Sequence, residues 1–407
     1  MAIESAAVVG AGTMGTGIAM SLVNAGIAVY LADASPAVLE RGRASIEHTY
    51  ASSVERGRMS QAEGAERLAR ITTTPDPNRM RTVDLIIEAV FEDMATKRDV
   101  FAELGASARP DAMLATNTST LDVDEIASAA PNPQRTLGLH FFSPAHVMRL
   151  LEVVRGAATS AETVAGAVAL AQRIGKVPVV VGNCDGFVGN RMLLRYRREA
   201  EFALERGATP AEVDGALQGF GFAMGPFAVA DLAGIDIGWR AKQEREKRGG
   251  LPFRVSDIPD RMVEAGRLGQ KTGAGYYRYD VGSRTPRPDR AVDEILARER
   301  ERLAIRTASP SSEEIVARCL AALINEGARI LDDGIAARSD DIDTIWRTGY
   351  GFPAERGGPM AYADASGLDR VLAAIQRYGA DDPQFWQPAP LLERLVSERR
   401  KFSSLSV

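Results

Sequence analysis

Short apolar runs alternate with helical periodicity through the first half of the chain. Residues 5–9 (SAAVV) read as a buried strand, and a glycine turn follows at once. Helical periodicity resumes over 14–24, and residues 28–32 read as a second strand ending in Asp33. From residue 35 to about 70 the pattern is helical, polar and rich in Arg and Glu, with a break near Gly57, which predicts an exposed helical hairpin. Residues 83–90 (VDLIIEAV), 113–116, 137–140 and 177–181 predict further strands, and 97–107 another helix. Strands alternating with helices predict a parallel, doubly wound α/β domain of the Rossmann type over residues 1–183.

After Gly182 the periodicity turns helical. Residues 184–280 predict an all-α domain ending in the glycine-rich GRLGQKTGAGYYRYD. Residues 281–310, rich in Arg and Pro with one helical stretch, read as a crossing linker, and helices resume over 311–407. The two helical stretches resemble each other. Val213-Asp214 matches Ile342-Asp343, Gly221-Phe222 matches Gly351-Phe352, and Gly225-Pro226 matches Gly358-Pro359. Asp231 to Asp236 matches Asp364 to Asp369, and the offset drifts only from 129 to 133. So many ordered matches predict a duplicated helical domain, the second copy degenerate.

Composition narrows the functional classes. The chain has 407 residues, 45% hydrophobic and 25% charged, with a net charge of −5. Length and composition suit a globular protein of two or three domains, and no basic surplus favours nucleic acid or an anionic membrane as partner. No apolar run reaches the length of a membrane-spanning helix, and the N-terminus lacks the pattern of a secretory signal. The last residues, KFSSLSV, are not a Ser-Lys-Leu address. Cys184 and Cys319 stand far apart without metal-ligand spacing, which predicts two unreactive thiols in a reduced, cytoplasmic setting. No His/Cys/Asp/Glu cluster suggests a metal.

Gly10-Ala11-Gly12-Thr13-Met14-Gly15 lies directly between an apolar strand and a helical run. A GxGxxG says little alone, but in this context it predicts a dinucleotide site. Gly10 permits the tight turn, Gly12 lets the backbone approach a pyrophosphate, and Gly15 allows close helix–strand packing. The helix N-terminus then offers free N–H groups to phosphate. Asp33, about 20 residues on, is placed to accept from the ribose hydroxyls and to repel a 2′-phosphate, which favours NAD over NADP. FAD uses a similar fingerprint, so the glycines leave that choice open.

Three histidines occur, His48, His140 and His146. His48 falls in the predicted exposed hairpin. His140 closes an apolar strand, at the end where open parallel sheets bind ligands. Glu152 lies twelve residues on, embedded in the apolar LLEVV segment. A carboxylate there is costly to bury without a partner, and the imidazole supplies one. Such a pair would fix the histidine tautomer and stabilise the cation formed when the ring takes a proton.

The segments GAGTMGTGIA, EAVFEDMATKRDVF, NTSTL, HFFSPAHVMRLLEVV, GNCDGFVGNRML, FGFAMGPF and GQKTGAGYY together resemble the 3-hydroxyacyl-CoA dehydrogenase family. The likeness is strongest to the dehydrogenase half of peroxisomal-type multifunctional β-oxidation enzymes, with Ser143 where short members carry Asn. It implies NAD-dependent oxidation of a 3-hydroxyacyl-CoA, the dehydrogenase step alone. By motif it implies His140 as base, supported by Glu152, with Ser119 and Asn190 beside the reacting groups. On the nucleotide side it implies contacts from Met14, Asp33, Glu92, Lys97, Ser119 and Ser143, and on the CoA side from Thr49 and Arg56. Asp185 stands before Gly186 where the family often has proline, a change at the hinge between domains. Two other readings stay open. One keeps the fold but acts on a short or cyclic CoA ester or a small sugar acid; the other binds NAD without catalysis. The four intact residues Ser119, His140, Glu152 and Asn190 argue against the second. The duplication predicts a chain that is monomeric, its second copy taking the place of the partner subunit found in short members of the family.

Overall fold

The six predicted strands and two further ones form a single eight-stranded sheet. A computed structural model describes residues 3–305 and 308–405, and the chain divides into two units, Met1–Phe187 and Val188–Val407. In the first unit the strands are β1 (Ser5–Val9), β2 (Ala28–Ala32), β3 (Ile71–Thr74), β4 (Leu85–Glu88), β5 (Met113–Thr116), β6 (Thr136–Phe141), β7 (Leu150–Arg155) and β8 (Val177–Gly182). Their order is β3-β2-β1-β4-β5-β6-β7-β8. The order reverses between β1 and β4, the point at which doubly wound sheets open a crevice for a ligand.

Two features depart from the sequence reading. The sheet is not wholly parallel, because β7 runs antiparallel to β6, and β8 follows the direction of β7. Residues 142–149 contain no helix. So short a connection cannot make the crossover that a parallel partner requires, and the chain turns straight back. The second feature is β3, whose Ile-Thr-Thr-Thr carries too little apolar signal to stand out as a strand.

Helices cover both faces of the sheet. They are α1 (Thr13–Asn24), α2 (Pro36–Glu55), α3 (Gln61–Ala69), α4 (Met94–Ser107), α5 (Val123–Ala127) and α6 (Ala161–Arg173). Val8, Ile18, Leu22, Leu31, Ile87, Leu139 and Leu151 form one core. Ala7, Ile86, Phe101, Leu104 and Leu114 form the other. Adjacent residues of β1 thus serve opposite layers, as the two-residue period of a strand dictates. The predicted hairpin is α2 and α3, with its break at Gly57 (φ +67°). Ser60 caps α3 by accepting from the Glu63 N–H, and Glu63 returns the bond to the Ser60 N–H. His48 is exposed on this hairpin.

The second unit is helical: α7 (Gly189–Glu205), α8 (Pro210–Phe220), α9 (Pro226–Ala233), α10 (Ile235–Lys247), α11 (Ile258–Glu264), α12 (Arg290–Arg302), α13 (Ser312–Asp332), α14 (Ser339–Gly349), α15 (Pro359–Ser366), α16 (Leu368–Gly379) and α17 (Pro390–Ser397). The expected linker holds α12, which buries Val292 and Leu296. Arg300 of this helix donates to the carbonyls of Leu204 and Ala208, so the segment is fastened along its length.

One device recurs in this unit. Asp214 accepts from the N–H groups of Phe227 and Ala228 at 2.9 and 3.0 Å, capping α9. Asp343 accepts from Met360 and Ala361 at 2.7 and 3.0 Å, capping α15. Gly225 and Gly358 make room, since a Cβ there would lie 2.2 and 2.4 Å from the respective aspartate. Asp231 accepts from the N–H groups of Tyr276 and Tyr277, and Asp364 does the same for Phe402 and Ser403. These four are among the aspartates that align in the sequence. Along the seam between α7 and α13, Arg191 meets Glu326 at 2.6 Å and Arg318 meets Glu199 at 3.0 Å.

Candidate active site

The glycine turn leaves β1 at Gly10, whose φ of +106° is open to glycine, and a Cβ there would lie 2.4 Å from the Ala89 carbonyl. A Cβ on Gly15 would lie 1.7 Å from the Gly10 carbonyl, so helix and turn touch as the motif requires. Gly12, at the N-cap of α1, behaves differently: a Cβ there would meet nothing within 4 Å. Its backbone faces open space, and no side chain caps the helix. Asp33 accepts from the N–H groups of Ala11 and Ser35, both at 3.0 Å, which fixes its carboxylate beside the turn. Met14 is partly buried against the core in the first turn of α1. Free helix N–H groups, an open glycine and a fixed acid together fit a dinucleotide.

Beyond the turn lies a charged cluster that spacing alone does not reveal. Lys97 and Glu88 are both wholly buried and meet at 2.6 Å. Glu88 also accepts from Thr116 Oγ1 at 2.7 Å and from the Val90 N–H. Lys97 is 3.3 Å from Glu92, which accepts from Thr118 Oγ1 at 2.6 Å and from the Ser119 N–H and hydroxyl. Burial alone would raise the Glu92 carboxyl, but the Lys97 ammonium and these hydrogen bonds hold it below the ordinary range. The expected contacts Glu92, Lys97 and Ser119 therefore form one assembly. Lys97 sits inside it, away from solvent, paired with the two acids. Glu88 was missed, although an acid set within an apolar run is the signal that marked Glu152.

His140 and Glu152 are direct cross-strand partners of β6 and β7. The ring Nδ1 is 2.7 Å from Glu152 Oε2, with the histidine side chain 7% exposed and the glutamate 0%. The antiparallel turn thus explains the twelve-residue spacing. This bond occupies Nδ1 and leaves Nε2 as the nitrogen for a reacting group. The ring packs on Phe142 and Phe187, with centroids 4.5 and 5.7 Å away. Asn117, which sequence reasoning passed over, accepts from the Phe141 N–H at 2.9 Å and ties the Ser119 loop to the histidine strand. Ser143 is exposed just beyond. Lys176 donates to the carbonyls of Ala145 and Met148, fastening this loop, and burial lowers its ammonium to about 8.

A groove of about 330 Å³ runs between α1 and α2, and Gly12, Arg41, Ser45, Thr49 and His146 are among the residues that line it. Thr49 thus lines the same groove as the glycine turn, while Arg56 lies exposed at the end of α2, outside that lining. In the second unit, Asn190 stands in the first turn of α7, where its Oδ1 accepts from the Tyr350 hydroxyl at 3.0 Å. Neither Cys184 nor Cys319 is in a disulfide, and burial pushes the Cys319 thiol well up. Among the described residues no helix is long and apolar enough to cross a membrane, and no group of three His, Cys, Asp or Glu residues is placed to hold a metal.

Residues 5–184 match the NAD binding domain of 3-hydroxyacyl-CoA dehydrogenase, and residues 186–279 and 315–403 match its C-terminal domain. The chain belongs to the 3-hydroxyacyl-CoA dehydrogenase family. Its first unit is the part that matches the family's NAD binding domain. Over 97% of its length it is 46% identical to the peroxisomal bifunctional enzyme of Danio rerio and 44% identical to that of Homo sapiens. It spans about half of these relatives, 56% in each case. Among solved structures, 3-hydroxybutyryl-CoA dehydrogenase of Escherichia coli matches with a TM-score of 0.85 and 29% identity, covering 98% of this chain and 99% of that one. The dehydrogenase part of multifunctional enzyme 1 from C. elegans matches with a TM-score of 0.70 and 31% identity, covering 97% and 90%. The expected resemblance to the multifunctional enzymes is met by these matches.

Proposed function

We propose that this chain oxidises a (3S)-3-hydroxyacyl-CoA reversibly to the 3-oxoacyl-CoA, with His140 as the base. The observation that carries this reading is the buried 2.7 Å pair between His140 and Glu152 at the end of the sheet that bears the dinucleotide turn. Bound NAD supplies the hydride acceptor. His140 Nε2 takes the proton of the 3-hydroxyl, and Glu152 holds the ring's tautomer and offsets the cation formed. Ser119, held by Glu92, and Asn190 hydrogen-bond the reacting oxygens. Gly10, Gly12, Met14, Gly15, Asp33, Glu92, Lys97 and Ser143 serve the nucleotide side, and Thr49 and Arg56 the CoA side. A short acyl substrate is a second reading, favoured by the near-complete overlap with a structure named as a 3-hydroxybutyryl-CoA dehydrogenase. NADH formation from hydroxyacyl-CoAs of graded length, set beside a small sugar acid, tests both. Turnover of the sugar acid alone would overturn them.

The organisation proposed is a nucleotide domain over residues 1–183, a helical domain over 184–280, a linker over 281–310 and a second copy of the helical domain over 311–407. The paired aspartate caps and the repeated match to one domain family support the duplication. Packing of α13 on α7 within one chain supports a monomer, to be checked by light scattering. Two cysteines kept as thiols support a reducing, cytoplasmic setting.

A further inference from the structure

The hydrogen bond between Tyr350 and Asn190 joins residues 160 positions apart, on α7 and at the end of α14. Several contacts hold the tyrosine in place. Its ring stacks on Trp346, with centroids 4.7 Å apart and planes 25° from parallel. Trp346 is itself buried and meets Tyr196 of α7 edge-on at 5.8 Å. On the other side is Gly189, where a Cβ would lie 2.3 Å from the Tyr350 hydroxyl and 2.6 Å from its ring. Any larger residue would displace the tyrosine, so the glycine before Asn190 is what admits it.

An asparagine side chain has one accepting and one donating end, and its partners decide which way each faces. A phenol that donates to Oδ1 turns the amide so that the Nδ2 group becomes the donor on the opposite side. That donor is the chemistry a substrate hydroxyl or carbonyl oxygen needs. We propose that Tyr350 is a positioning residue for Asn190, setting the amide to donate to the oxygen of a hydroxyacyl-CoA. The inference rests on the assignment of Asn190 to the substrate. The second helical stretch then serves the chemistry as well as packing on the first.

The test uses the full chain with NAD and 3-hydroxybutyryl-CoA, comparing Tyr350→Phe, Asn190→Ala and the double variant. Tyr350→Phe keeps the ring and removes the hydroxyl. Its kcat should fall on the order of tenfold, the worth of one hydrogen bond, with KM, NADH affinity and Tm little changed. Asn190→Ala should fall further, and adding Tyr350→Phe to it should cost nothing more, because the two act through one group. Wild-type kcat in Tyr350→Phe beside a slow Asn190→Ala overturns the positioning role and leaves Asn190 in place. Losses that multiply in the double variant also overturn it. Wild-type kcat in Asn190→Ala overturns the assignment of Asn190 itself. Gly189→Ala gives a second line: it keeps the hydroxyl but crowds the ring, and should lose kcat to a similar degree. Full activity there overturns the proposal even where Tyr350→Phe proves insoluble.

Discussion

Lys97 reaches Glu88 at 2.6 Å and Glu92 at 3.3 Å, so one buried ammonium anchors both acids on the nucleotide side. Removing one partner of such a pair leaves an uncompensated charge out of water, which costs about 3–5 kcal/mol. Lys97→Met should therefore lower stability by that order in urea unfolding. Adding Glu88→Gln should recover part of the loss. A Lys97→Met protein as stable as the parent would show that Glu88 takes up a proton or finds another partner.

In the proposed reaction the chemical step turns on His140. His140→Ala should lower kcat by roughly 10²–10⁴, the usual contribution of a positioned base. NADH binding, followed by fluorescence, should change little. Glu152→Gln should lose less, since it keeps a hydrogen-bonding group opposite Nδ1. Near-normal turnover in His140→Ala would place the base elsewhere.

In the proposed reading cofactor choice turns on Asp33. With its carboxylate fixed by Ala11 and Ser35, NAD should exceed NADP in kcat/KM by at least about tenfold, roughly 1.4 kcal/mol. Asp33→Ser should narrow that ratio. Equal kcat/KM with both cofactors in the parent enzyme would remove this role from Asp33.

Burial raises the carboxyl of Asp343 to about 7 and that of Asp214 to about 6. An acid raised in this way holds its proton more tightly when folded, so its favourable contribution is complete below the ordinary aspartate value and is lost as pH rises toward 7. The Tm of the parent, measured against Asp343→Asn, should thus fall by several degrees between about pH 4 and pH 7. A difference that stays flat across that range would mean the two bonds from Met360 and Ala361 outweigh burial.

What the sequence made legible was local. Strand, glycine turn, helix and Asp33 lie within one short stretch, and each element carries its own periodicity. His140 and Glu152 were legible as a pair because a carboxylate inside an apolar run demands a partner. The same rule pointed equally to Glu88, but its partner lies across a loop, where no period links them. The direction of β7 was hidden, since an apolar run reads alike either way. Tyr350 was beyond reach: its relation to Asn190 exists only once α14 packs against α7.

Two identical subunits meeting about a twofold axis must repeat every contact with the roles exchanged. The seam between α7 and α13 is free of that constraint. Arg191 and Arg195 both engage Glu326, yet 129 positions away from Arg191 and Glu326 stand Leu320 and Arg197, which cannot form the reversed pair. A substitution on either face therefore enters once per molecule and is judged by one neighbour alone. Such a seam can specialise: one side keeps the asparagine, with Cys319 at the corresponding place on the other, and the opposite side is at liberty to evolve the tyrosine that meets it. On the proposed duplication, covalent linkage leaves the two faces of one seam to diverge.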